Sequence, residues 1–132
     1  MTKIEFSLEL PENPKGTAQM IRHTSHGTYI PSNLRKTMDM YMAALAPYGG
    51  QVLTGPLELR IVFVYAVKDK KKWLNPKTSV PDIDNIAKPF IDCMTKTGFW
   101  KDDSQIVKLK LEKWYGVIPM VDVELSEVIL ND

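Results

Sequence analysis

The sequence predicts one α+β domain spanning residues 1–132, with a mostly antiparallel sheet and two main helices. Three observations lead there. Stretches of alternating apolar and polar residues bracket two segments of helical period, in the order strand, helix, strand, helix, strand, strand. The 132 residues, 44% of them hydrophobic, suffice for one core but not for two independent lobes. Neither an internal repeat nor a low-complexity tract divides the chain.

Ile4, Phe6 and Leu8 alternate with Glu5, Ser7 and Glu9, the period-two pattern of a strand with one buried face. Residues 11–29 are polar, rich in Pro, Gly, Asn, Ser and Thr, and lack a sustained period, so a long loop is expected. Ser32 offers a helix N-cap, after which Leu34, Met38, Tyr41 and Leu45 recur along one face; Pro47 and the Gly49-Gly50 pair end that helix. Met38, Met40 and Met42 on the same helix suit packing in the core or across a dimer. Leu57, Leu59, Ile61, Phe63 and Tyr65 alternate with Glu58, Arg60, Val62 and Val64. The second half of this strand is apolar on both sides, which predicts a central position. A lysine-rich connector, residues 68–79, leads to a second helix within residues 84–96, closed by Gly98 in the left-handed conformation. Pro89 falls inside that helix, where proline removes a backbone hydrogen bond, so a start as late as Ala87 or Lys88, or a kink, is expected. Alternation over residues 105–115 and 121–128 predicts two more strands, joined by a turn near residues 116–119.

Formal net charge is only +1, so the overall balance announces no nucleic-acid partner, and any such case rests on where the charges sit. Cys93 is the sole cysteine, which excludes an internal disulfide and a Cys-rich zinc site and suits a reducing compartment; its expected role is a small apolar core residue. His23 and His26 have too few imidazole or thiol companions for zinc and are expected to be solvated. The opening MTKIEFSLEL lacks a continuous apolar run, so neither a signal peptide nor a membrane span is expected there, and the chain reads as cytoplasmic with no membrane partner.

The chemistry concentrates in residues 81–106. Asp82 and Asp84 stand two apart, so in an extended stretch both side chains leave one face, with Cα atoms about 6.5–7 Å apart. Asp84 or Asn85 would cap the helix, and Lys88 follows Asp84 by one turn. A helix of a dozen residues is about 18 Å long, and an extended run from Phe99 to Asp103 reaches back about 15 Å. Asp102 or Asp103 would then return beside Asp82 and Asp84. Clustered carboxylates repel unless a cation compensates, and Mg²⁺, which takes oxygen ligands and keeps positions for water and phosphate, is the natural one. Such a site suggests metal-assisted phosphodiester hydrolysis, with Lys88 orienting water or steadying the charged phosphate. Spacing alone also allows a blander reading. Asp84, Lys88 and Asp92 form an ordinary ion-pair ladder, and Asp102-Asp103 an ordinary turn.

The run Asp82-x-Asp84-Asn85, then Lys88, Asp92, Gly98, Trp100 and Asp102-Asp103-Ser104-Gln105-Ile106 resembles the signature of the RusA family of Holliday junction resolvases. Pro14-Lys15-Gly16 and Tyr29-x-Pro31 before a helix resemble the family too, although Thr17, Ala18 and Gln19 stand where arginines often follow the Lys-Gly, leaving Lys15 and Arg22 as that loop's cations. The resemblance implies a single RusA-like endonuclease domain over residues 1–132. It implies Asp82, Asp84 and Asp103 as the essential acids and metal ligands, Lys88 as the essential lysine, and Asp102 as an additional neighbour. The implied cofactor is Mg²⁺, with Mn²⁺ as substitute, and the implied substrate is four-way junction DNA cut by a symmetric homodimer of bacterial, phage or prophage origin. A two-fold junction is matched most simply by an isologous dimer.

Lys68, Lys70, Lys71, Lys72 and Lys77, with Trp73 among them, could track phosphates while the indole stacks on an unpaired base; a solvated lysine-rich loop explains them equally well. Lys108 and Lys110 could extend a basic surface or simply discourage strand pairing, and Trp100 and Trp114 suit core or dimer contacts. The competing readings are a junction-binding protein with little or no cleavage, a broader branched-DNA or flap nuclease, and an acidic metal-binding module unrelated to DNA.

Overall fold

The computed structural model describes residues 2–16, 22–24, 27–29 and 32–130; at 22–24, 27–29, 32 and 33 it describes the backbone alone. In chain order the elements are β1 (Lys3–Glu9), β2 (Arg22–Thr24), β3 (Gly27–Tyr29), α1 (Ser32–Leu45), β4 (Leu57–Ala66), α2 (Ile83–Lys96), β5 (Ile106–Gly116) and β6 (Met120–Glu127). Short 3₁₀ turns stand at Ala46–Tyr48, Lys70–Lys72 and Asp103–Gln105. The α+β architecture and its two helices match expectation.

Four strands form one sheet in the order β1-β6-β4-β5. The pairs β1/β6 and β6/β4 are antiparallel, and β4/β5 is parallel. β4 is therefore an inner strand, as its two-sided apolar pattern predicts. Parallel neighbours need a long crossover, and the segment containing α2 supplies it. This crossover is the feature that places the start of α2 beside the far end of β5.

Alternation sends Ile61, Phe63 and Tyr65 of β4, Val121, Val123 and Leu125 of β6, and Leu8 of β1 into one core with Tyr41 and Leu45 of α1 and Ile86, Phe90 and Met94 of α2. Each such aliphatic or aromatic side chain contributes about 1.5–3 kcal/mol on burial. Phe90 meets Tyr41 and Phe63 edge-on, with ring centroids 4.9 and 5.7 Å apart. Cys93 is fully buried, as expected of a core residue, and Met38, Met40 and Met42 pack partly buried against the core. Trp100 is buried too, its indole N–H donating to Thr95 Oγ1 at 2.8 Å.

Three expectations need correction. Residues 11–29 are not wholly loop, because β2 and β3 pair there as a small antiparallel ladder from Arg22↔Tyr29 to Thr24↔Gly27. Strands of three residues are too short for a period to register. α2 starts at Ile83 with Asp82 as its N-cap, earlier than either Asp84 or Asn85 as cap would allow. It also runs through Pro89 to Lys96, with Pro89 itself buried. Burial of Ile86, Ala87, Phe90, Cys93 and Met94 on one face holds the helix together despite the hydrogen bond that proline cannot donate. Gly98 does close the helix with φ +83°. Among the described residues no helix is long and apolar enough to cross a membrane.

Candidate active site

The start of α2 leaves a carboxylate unspent. The Asp82 carbonyl accepts from Asn85 N at 3.1 Å and Ile86 N at 3.3 Å, yet its side chain makes no capping bond. Aspartate at an N-cap ordinarily accepts from the backbone two or three residues on. Here the exposed Asp82 carboxylate is free for other ligands. Asp84, one residue into the helix and also exposed, accepts from Asn85 N through Oδ1 at 3.0 Å. The positive end of the α2 dipole favours negative charge at both positions. Lys88 is exposed one turn along from Asp84.

Two grooves meet at Asp82. One, with a volume of about 540 Å³, runs between Asp82, Ile83, Asp84 and Lys77 on one wall and Leu111, Glu112, Lys113 and Trp114 of β5 on the other. The second, about 550 Å³, lies between Asp82 and Asn85 and the loop carrying Asn13 to Gly16, with Tyr65, Lys77, Val80 and Pro81 completing it. That loop is firmly tied down. Asn13 donates to Ala66 O at 3.0 Å and accepts from Ala66 N at 2.8 Å, as a neighbouring strand would. The Tyr65 hydroxyl donates to Pro14 O at 2.6 Å, and Lys15 N donates to the buried Thr37 Oγ1 at 3.2 Å. Lys15 thus projects, exposed, from an anchored backbone beside Asp82.

The lysine-rich connector is a structured strap along the edge of β5. Leu74 N donates to Tyr115 O, Tyr115 N to Asn75 O and Lys77 N to Lys113 O, at 3.0, 2.9 and 3.1 Å. The Lys77 ammonium donates to Ser79 Oγ at 2.6 Å and lies 5.1 and 5.2 Å from the ring centroids of Tyr65 and Tyr115. The Ser79 hydroxyl, followed by the charges of Lys77 and Lys72, holds the Tyr115 phenol below its ordinary pKa against a smaller opposing effect of burial. Lys68, Lys70, Lys71 and Lys72 are all exposed, and Asp69 caps their turn by accepting from Lys71 N at 3.0 Å. Trp73 donates its indole N–H to Val67 O at 2.9 Å and lines an apolar groove with Val62, Val64 and Trp114, on the opposite sheet face from the helices. Arg22 lies on β2 with its side chain outside the described residues; His23 likewise, and His26 is itself among those not described.

Asp102 and Asp103 do not return to the start of α2. They line a separate groove with Asp92, Thr95, Lys96 and Lys101, along the later part of the helix. The chain leaving Gly98 is captured by the Leu53↔Trp100 bridge and by Gln105, whose amide donates to Leu53 O and Gly55 O at 2.9 and 3.0 Å. Asp102 then caps the 3₁₀ turn, and the backbone hydrogen bond from Ser104 lowers its pKa. β5 makes the return journey instead, bringing Glu112 and Lys113 to the groove of Asp82. Neither was singled out from the sequence, although a lysine at Lys113, an inward position between Leu111 and Tyr115, was a readable signal. Among the described residues no three His, Cys, Asp or Glu side chains converge as a metal cage.

The family profile described as Endodeoxyribonuclease RusA matches residues 11–126, which include both grooves. The chain belongs to the RusA family. This RusA-family chain is 45% identical over 73 residues to the crossover junction endodeoxyribonuclease rusA of Lactococcus phage r1t, covering 55% of this chain and 56% of that one. It is 43% identical over 61 residues to the uncharacterized protein YqaN of Bacillus subtilis (strain 168), covering 46% and 42% of the two chains. With the crossover junction endodeoxyribonuclease RusA of Escherichia coli (strain K12) it shares 47% identity over 32 residues, 24% of this chain and 27% of that one. The chain thus spans about half or less of the length of these relatives.

Proposed function

We propose that this RusA-family chain is an endodeoxyribonuclease that resolves four-way DNA junctions by paired, symmetric, Mg²⁺-dependent hydrolysis of phosphodiester bonds in recombination and repair. The observation that carries the reading is the uncommitted Asp82 carboxylate next to Asp84, in a groove flanked by Lys77 and Lys113 and adjoining Lys15. Two neighbouring carboxylates fit a hard cation that takes one or two protein oxygens and fills its remaining positions with water and substrate phosphate. Mg²⁺ is the ion such donors suit, with Mn²⁺ as its substitute, and when bound it supplies an activated water and neutralises developing charge on the phosphate. Lys88 is assigned to the water or the charged phosphate, Lys15 and Lys77 to flanking phosphates, and Lys68, Lys70, Lys71 and Lys72 to the strand beyond. Asp103, with Asp102 beside it, enters the set of acids through the family motif. The substrate's two-fold symmetry favours a homodimer with one site for each of two opposed strands, working in the cytoplasm of a bacterial host.

Cleavage of a labelled four-way junction, with linear duplex as control, tests the reading for the native chain and Asp82→Asn, with Mg²⁺ and with chelator. Paired symmetric nicks that need Mg²⁺ and disappear in Asp82→Asn are expected. Tight junction binding with no cutting under either metal would sink the nuclease and leave a junction-binding protein.

A further inference from the structure

We propose that Lys113 is a positioning residue for the Asp82 carboxylate, an inference that rests on Asp82 being an acid of the nuclease site. Lys113 occupies an inward position of β5, in register with the buried Phe63. A lysine there is costly unless its ammonium finds partners. It finds two backbone carbonyls. Nζ donates to Ser79 O at 2.7 Å and to Pro81 O at 2.6 Å, the latter belonging to the residue immediately before Asp82. Charge-assisted hydrogen bonds of this length are among the strong ones. The Lys113 carbonyl accepts from Lys77 N at 3.1 Å, so one residue grips the strap at three points between Lys77 and Pro81.

Asp82 depends on that grip. No capping bond within α2 restrains its side chain, so its placement follows the path by which the strap enters the helix. Lys113 also lines the groove of Asp82 and Asp84 while spending its hydrogen bonds on the backbone, which separates it from Lys15 and Lys88 on the solvent side. Misplacing a reacting group by 1 Å costs about 10²-fold in rate.

The test compares Lys113→Met, which keeps the stem and loses the donors, with Lys113→Arg, which keeps donors and charge. Three quantities are read: Mn²⁺ affinity of the DNA-free protein by calorimetry, single-turnover junction cleavage, and junction affinity in chelator. Lys113→Met is expected to cleave about 10²-fold more slowly and to bind Mn²⁺ more weakly, with junction affinity retained and with Lys113→Arg recovering much of the loss. Native cleavage and Mn²⁺ affinity in Lys113→Met would overturn the proposal. So would lost junction affinity with Mn²⁺ binding intact, since that marks a phosphate contact. Should Lys113→Met lack native circular dichroism, Lys113→Gln, which loses the charge and the reach of the ammonium, is read in the same way. Asp82→Asn run in parallel separates the two ideas: if it still cleaves, the assignment of Asp82 to the nuclease site fails, whereas if it is inactive and Lys113→Met is native, only the positioning role fails.

Discussion

Gly16 is where the amino-terminal loop touches the head of α2, and an alanine there should loosen that contact. A Cβ at Gly16 would stand 2.7 Å from Pro81 Cβ, 3.1 Å from Asn85 Cβ and 3.1 Å from Ile86 Cγ2. Carbon atoms prefer about 3.5–4.0 Å, so the overlap with Pro81 approaches about 1 Å. None of the three atoms is the far end of a flexible side chain, and Ile86 is fully buried. The loop must lift, against the Asn13 and Tyr65 hydrogen bonds that hold it to β4. Overpacking of this kind costs about 1–3 kcal/mol. At about 3–4 °C per kcal/mol for a chain of this size, the melting temperature should fall by about 3–12 °C. Thermal unfolding followed by circular dichroism checks this against Gly55→Ala, where a Cβ meets nothing within 4 Å. Melting of Gly16→Ala indistinguishable from Gly55→Ala would refute the packing argument, and with it the claim that the loop rigidly presents Lys15 to the site.

Two other predictions concern charge. Lys15→Gln and Lys77→Gln should each reduce the slope of log junction affinity against log salt by about 0.9; an unchanged slope in both would remove these lysines from the DNA contact. Burial raises the Cys93 thiol from 9.0 to about 11. A raised pKa means the folded state holds the proton more tightly, so this contribution is complete below the unfolded thiol's pKa and is lost as pH climbs from about 9 to about 11. Urea midpoints at pH 8 and pH 10.5 should therefore fall further for the native chain than for Cys93→Ala, and equal falls would show that the thiol does not titrate as its burial requires.

What was legible in the sequence was whatever a local period could carry. Alternation located β1, β4, β5 and β6, and the two-sided apolar half of β4 foretold its inner place. Alternation says nothing about which strand lies alongside, so the parallel β4/β5 pair and the insertion of β6 between β1 and β4 were not readable. Asp82 and Asp84 line one groove because both lie on one short segment, although the extended backbone assumed for the pair gives way to helix at Ile83. The return of Asp103 was a different matter. It assumed a free extended run after Gly98, whereas the buried Trp100 and the Gln105 amide bind that run to residues about 50 positions earlier in the chain. Long-range anchors of that kind leave no periodic trace.

The net charge of +1 concealed a division between two faces of the molecule. On the sheet face away from the helices, the cations other than Lys108 meet acids: Arg60 pairs with Glu112 at 2.8 Å and Glu124 at 3.4 Å, Lys110 approaches Glu112 at 4.0 Å, and Lys3 meets Glu5 at 2.7 Å. Glu112 receives a further bond from Trp114 Nε1; burial pulls its carboxyl upward, but Trp114 and Arg60 together hold its pKa below the ordinary value. Around the head of α2 and along the strap the pattern reverses. Lys15, Lys68, Lys70, Lys71, Lys72, Lys77 and Lys88 form no ion pair among the described residues, and most are exposed. A cation already paired with a carboxylate has little to gain from a phosphate, whereas an unpaired one releases counterions from DNA when it binds. The largest group of unpaired cations among the described residues therefore stands near the grooves on which Asp82 and Asp84 open. The same two acids that would repel a phosphate directly are the groups a divalent cation would bridge to it.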